Sequence, residues 1–177
     1  MKWKNIDVGA AYYYITGTLT EWLPLLKRAD IRELVRDQIK YALVECGGSL
    51  AAFVIMPDHV HLLIYLPEAN QLHKFNKLWR GRSGYKIIRL LKANREVQIL
   101  DTMAAHANGN AKYAAWKEQP RALAIWNTKK LHAMIDYIHH NPVRRSLVAS
   151  PEEWPYSSYR FYEQGEAVAL EVVPPQP

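Results

Sequence analysis

Two histidines one residue apart, His59 and His61, sit inside the apolar run Val54-Ile55-Met56-Pro57-Asp58-His59-Val60-His61-Leu62-Leu63-Ile64-Tyr65. Successive side chains on a β-strand point to opposite faces, so a strand here puts both imidazoles on one face and Val60, Leu62 and Ile64 on the other. The apolar face must be covered, which commits the chain to a sheet with another layer packed on it. The histidine face supports two readings. Imidazoles at this spacing can reach one divalent cation. Alternatively both are ordinary strand-edge histidines, because a metal site needs further ligands.

The flanking sequence supplies the rest of such a sheet. Ala11 to Thr20 is rich in aromatic and β-branched residues and predicts a first strand. Pro24 opens a helix in which Leu26, Ile31, Leu34, Val35, Ile39, Ala42 and Leu43 recur at helical spacing, and Gly47-Gly48 stops it after about Glu45. Leu50 to Met56 and His59 to Leu66 read as an antiparallel hairpin turned at Pro57-Asp58 and closed by Pro67. A second helix spans Gln71 to Ala93, loosened at Gly81-Arg82-Ser83-Gly84, where each glycine costs roughly 1 kcal/mol relative to alanine. Asp101 to Lys112, with Asn108-Gly109-Asn110, reads as a loop and Arg121 to Trp126 as a short strand. Asn127 or Thr128 caps a last helix that ends where Asn141 precedes Pro142. This order predicts an α+β fold, an antiparallel sheet with packed helices in a ferredoxin-like or RRM-like arrangement. One domain over residues 1–166 is expected, followed by a proline-rich tail, 167–177, that docks or dangles.

Composition narrows the partners. With 177 residues and 49% hydrophobic residues the chain can bury one substantial core. A net charge of +6 favours anionic partners, nucleic acid ahead of acidic membrane, since no terminal segment is strongly basic and amphipathic. The single cysteine, Cys46, cannot form an intramolecular disulfide, and no signal peptide or run of eighteen apolar residues is present. A cytoplasmic protein with no membrane partner is expected.

The last helix carries a second informative pattern. At about 100° per residue, Leu131, Ile135 and Ile138 form one apolar stripe, and Tyr137 lies well off it. Asn141, four residues on, places its amide oxygen one turn beyond the phenol on nearly the same face. A tyrosine and a potential metal ligand therefore point the same way.

Met56-Pro57-Asp58-His59-Val60-His61, then Tyr137-Ile138-His139-His140-Asn141-Pro142-Val143-Arg144, then Trp154-Pro155-Tyr156-Ser157-Ser158-Tyr159, resembles the HUH single-tyrosine transposases, and more closely their REP-associated branch. The resemblance covers roughly residues 8 to 162 and rests on the order and spacing of three motifs. It implies an HUH nuclease fold, with His59 and His61 as metal-binding histidines, Asn141 as third ligand and Tyr137 as nucleophile. It also implies Mg²⁺ or Mn²⁺ as cofactor and single-stranded or hairpin DNA as substrate, cut through a 5′-phosphotyrosine. Relatives include dimers, so a homodimer is one expectation for the assembly.

Other residues keep two readings. Arg82, Lys86 and Arg89, spaced i, i+4, i+7 with Arg80 and Lys92 nearby, form either a solvated charged face or a phosphate-contacting DNA surface. Arg144 and Arg145 directly follow the tyrosine helix and are better placed to hold phosphates beside the scissile bond. Trp154, Tyr156, Tyr159 and Tyr162 either stack on unpaired bases or pack. His140 reads as a surface or DNA-contact residue ahead of a proton acceptor, Asp136 as a solvated helix residue and Asp58 as a turn former. The loop after Asp101 is longer than the family core requires, and the strand after Trp116 lacks the acidic residue of many relatives, which leaves DNA specificity open. Two functional alternatives stand beside transposition. One is a catalytically silent hairpin DNA or RNA binder; the other is a metallonuclease in which metal-bound water attacks.

Overall fold

The computed structural model describes residues 11–117 and 121–175, so the start of the expected domain and the end of the tail lie outside the described residues. The aromatic run forms β1 (Ala11–Thr18), alternating strictly between buried and half-buried positions. A single 3₁₀ turn over Leu25–Lys27 precedes α1 (Ala29–Glu45), so the helix starts one turn later than Pro24 suggests. Gly47, at φ +57°, ends α1 by letting the Gly48 amide reach the Leu43 carbonyl and its own amide reach Val44. The hairpin is as expected, with β2 (Ser49–Ile55), β3 (His59–Leu66) and a turn closed by the Met56 amide on the His59 carbonyl.

Three expectations change. α2 (Gln71–Ala93) is continuous through its two glycines. Trp79 and Ile87 on either side are fully buried, and Gly84 lies against Trp116 and Ala115, so packing outweighs propensity there. Part of the expected loop is helical: α3 (Val97–Ala105) buries Leu100 and Met103, one turn apart. The chain also does not leave the helical path at Asn141. After α4 (Thr128–His139), capped by the Asn127 side chain on the Lys130 amide, His140 stays helical and α5 (Asn141–Arg144) adds a further turn. Pro142 fits there because the first residues of a helix need no donor and its φ is already helical.

With β4 (Arg121–Ile125) the sheet is four-stranded and antiparallel, in the order β2-β3-β1-β4. This is the ferredoxin-like topology. On one face α1 and α2 cover Tyr13, Ile15, Phe53, Leu62 and Ile64 in the main core. On the other, α4 sets Leu131, Ile135 and Ile138 against Ala52, Val54 and Leu63. Gly17 is where β1 passes Trp79: a Cβ there would lie 2.3 Å from the indole.

The Trp154–Tyr159 motif is structural. The Ile55 amide donates to the Tyr156 carbonyl, Trp154 Nε1 donates to the Ile55 carbonyl at 3.0 Å and Tyr162 donates to Ala51 at 2.8 Å. These bonds cover the open edge of β2. Tyr156 also stacks under the Arg32 guanidinium at 3.8 Å, and α6 (Tyr159–Gln164) follows. Buried His139 bonds Ser158 Oγ at 2.8 Å, joining α4 to this cover. In the tail, Leu170 and Val172 are buried and the Val173 amide donates to Leu50. Among the described residues no helix is long and apolar enough to cross a membrane.

Candidate active site

The rotation of α4 is set by its apolar stripe, and that places Tyr137, off the stripe, over the histidine face of β3. The His59 and His61 rings lie 4.7 Å apart, and the Tyr137 ring is 6.0 Å from His61 and 6.0 Å from Tyr14, edge-on to both. Asn141, on the added turn, is buried and lines the same cavity. Its Nδ2 donates to the Tyr137 carbonyl at 2.7 Å, which engages the amide nitrogen and leaves the oxygen as the atom available to a ligand. The four residues proposed for the chemistry, two from β3 and two from α4 and α5 nearly eighty positions later, thus share one cavity of about 740 Å³.

Neighbours fix each imidazole. The register pairs Thr16 with His61 and Thr18 with His59. On the same face as those partners, Tyr14 Oη lies 2.7 Å and Thr16 Oγ1 3.0 Å from His61 Nδ1. Burial, followed by the neighbouring His59 charge, pushes His61 down to about 3, so it is neutral at physiological pH. Asp58, buried at the hairpin turn, bonds His59 Nδ1, which leaves Nε2 facing the cavity. Arg145 Nη2 donates to the same carboxylate at 3.1 Å. Burial opposes ionisation of Asp58, but the His59 bond and the His59 and Arg145 charges outweigh it and hold the carboxyl below its usual range.

Asp58 is therefore more than the turn former its sequence context suggests. A carboxylate directly before a candidate histidine ligand was the available signal. Tyr14 and Thr16 could be recognised only through the β1–β3 register, and Trp22 and Lys117, which also line the cavity, only through the tertiary structure.

The added turn brings two of the predicted cations to the site. The Arg144 guanidinium sits 4.7 Å above the Tyr137 ring, and Arg145 reaches Asp58. Arg82, Lys86 and Arg89 are on α2, across the sheet from the cavity. There Arg82 stacks 4.3 Å over Tyr41 and bonds Gln38, and Arg89 lies 5.8 Å over Tyr85. The His140 ring bonds the Asp136 carbonyl on the solvent side of α4.

The donor chemistry fits a divalent ion in part. Among the described residues no three His, Cys, Asp or Glu side chains are grouped to hold a metal, so a three-ligand site requires the Asn141 oxygen. Two imidazoles and an amide oxygen form a set that Mn²⁺ or Mg²⁺ can use when substrate oxygens or water complete it.

A family model described as "Transposase IS200 like" matches residues 23–141, a span that includes both histidines, Tyr137 and Asn141. The chain belongs to the IS200-like transposase family. It is 28% identical to the REP-associated tyrosine transposase of Escherichia coli over 153 residues, 83% of this chain and 79% of that protein. A REP-associated relative from Haemophilus influenzae is 30% identical over 111 residues, 61% of this chain and 57% of the relative, so this chain spans little more than half of that protein. A solved REP-associated tyrosine transposase bound to a REP hairpin has the same fold, with TM-score 0.65 and 19% identity over 98% of this chain and 92% of that one.

Proposed function

We propose that this protein is a single-stranded DNA endonuclease and strand transferase that cuts at hairpin-forming repeats through Tyr137. The observation that carries this reading is the position of the Tyr137 phenol across the cavity from the His59–His61 pair, beneath the Arg144 guanidinium. The Tyr137 oxygen attacks the scissile phosphorus in line, the P–O3′ bond breaks, and the products are a 5′-phosphotyrosine and a free 3′-OH. The intermediate keeps the phosphodiester energy, so a second 3′-OH can displace Tyr137 and join strands without ATP.

His59, His61 and Asn141 would hold a divalent ion, Mg²⁺ or Mn²⁺, which supplies charge at the phosphate oxygens when bound. Asp58 and Tyr14 orient the two imidazoles. Arg144 holds the phosphate against the phenol face, with Arg145 alongside. The partner is single-stranded or hairpin DNA, and the place of action is the cytoplasm, where that DNA is found.

The test is a single-stranded hairpin oligonucleotide incubated with the protein and Mn²⁺, then run on a denaturing gel. A covalent protein–DNA band that Tyr137→Phe removes supports the reading, and a band that survives Tyr137→Phe overturns it. Cleavage with a free 5′ phosphate and no adduct would select attack by water, and salt-sensitive binding with no cleavage would select a silent hairpin binder.

A further inference from the structure

Trp22 is out of place for its residue type. Trp79 and Trp116 are buried in the main core, whereas Trp22 is 48% exposed on the rim of the catalytic cavity. It reaches that position at a conformational cost: Glu21 (φ +47°) and Trp22 (φ +55°) are consecutive left-handed residues, neither of them glycine. Surrounding bonds hold the distortion. The Leu19 amide donates to the Asp58 carbonyl, the Thr20 amide and hydroxyl both reach the 114–115 backbone, and the Trp22 amide closes onto Leu19. The turn is thus tied on one side to the histidine hairpin itself.

The indole stands edge-on to His59, with ring centres 5.8 Å apart. Two cations lie against it, Lys117 Nζ at 4.9 Å and the Arg145 guanidinium at 5.9 Å from the ring centre. Both are long, half-exposed side chains that can leave the ring for a phosphate without opening the core. An exposed aromatic face flanked by cations beside a phosphodiester-cleaving centre is what an unpaired nucleotide requires, since the base stacks and its phosphates meet positive charge.

We propose that Trp22 is the stacking platform for the unpaired base next to the scissile phosphate, with Lys117 holding the adjoining backbone. Trp22 is a positioning residue: it fixes the nucleotide so that its phosphate lies between Tyr137 and the histidine pair. This rests on the single-strand cleavage reading, and the test separates the two.

Binding is measured in the Tyr137→Phe background by fluorescence anisotropy with a labelled hairpin carrying a single-stranded extension, so the readout needs no chemistry. The companion substrate lacks one base, at each extension position in turn. Trp22→Ala weakens binding to the intact extension by roughly ten- to a hundred-fold, and Trp22→Phe recovers most of it. Removing the stacked base from the DNA weakens binding to the Trp22 protein by a similar factor and has no further effect on Trp22→Ala. Equal abasic losses in the two proteins overturn the proposal. So does a Trp22→Ala protein that binds the intact extension normally while needing more Mn²⁺ for cleavage, which would make the indole a cover for His59. Failure of the wild-type protein to form a covalent adduct overturns the cleavage reading and leaves this binding result standing.

Discussion

Asn141 Nδ2 donates to the Tyr137 carbonyl across 2.7 Å, and this one bond engages the amide nitrogen and leaves the oxygen as the carboxamide's free acceptor. The backbone of the proposed nucleophile thereby holds the residue that supplies the oxygen donor of the candidate metal set. Asn141→Ala should raise the Mn²⁺ concentration for half-maximal adduct formation by more than about tenfold. Asn141→Asp, which keeps an oxygen, should recover much of that loss. A metal titration unmoved by Asn141→Ala would take Asn141 out of the ligand set.

Asp58 holds His59 Nδ1 and is itself held by Arg145. Asp58→Ala frees the ring to turn, and Mn²⁺ affinity by calorimetry should fall about 10- to 100-fold while Tyr137 remains in place. Chelation with EDTA should abolish adduct formation in the unsubstituted protein, and added Mn²⁺ should restore it.

Burial holds two histidines neutral, with His61 pushed down to about 3 and His139 to about 4. Unfolding returns both to the ordinary value near 6.5, so below that pH the unfolded chain binds two more protons than the folded one. Metal-free protein should therefore lose stability as pH falls from 6.5 toward 4, at about 1.4 kcal/mol per pH unit for each histidine. The stabilising contribution is complete above pH 6.5. Thermal melts that stay level between pH 7 and pH 5 would contradict this.

Gly17 has no room for a side chain, since a Cβ would meet Trp79 at 2.3 Å and Trp79 is fully buried. Gly17→Ala should cost about 1–3 kcal/mol in urea unfolding. The destabilisation should be present without DNA or metal.

The two groups of cations should separate in salt dependence. If Arg144 holds a phosphate as proposed, Arg144→Ala should lower the slope of log affinity against log salt by roughly one. Replacing Arg82, Lys86 and Arg89 together should leave the rate of adduct formation from bound DNA unchanged, because α2 lies across the sheet.

Much of this was legible locally. The period-2 run through β3 and the helical stripe of α4 each place their functional residues on a defined face, because strand and helix geometry depend on spacing alone. The Pro57-Asp58 turn and the Gly47 stop are equally local. What misled were residues whose local preference is overruled by burial: the α2 glycines against Trp116, Leu100 and Met103 drawn into α3, and Pro142 admitted to a new helical turn. The aromatics from Trp154 to Tyr162 are neutral in sequence, since stacking on bases and stapling a sheet edge call for the same residue types.

The sequence by itself therefore determined the four strands, the three longest helices and the faces that carry His59, His61 and Tyr137, because each follows from periodicity along the chain, while motif order supplied the family resemblance. Tertiary structure alone decided that β1 register sets Tyr14 and Thr16 on His61, that Asp58 orients His59, and that α5 swings Arg144 over the phenol. It also decided that a strained turn raises Trp22 beside them. These contacts join residues far apart in sequence, and their distances depend on how strands align and helices rotate against a shared core, which no local pattern encodes.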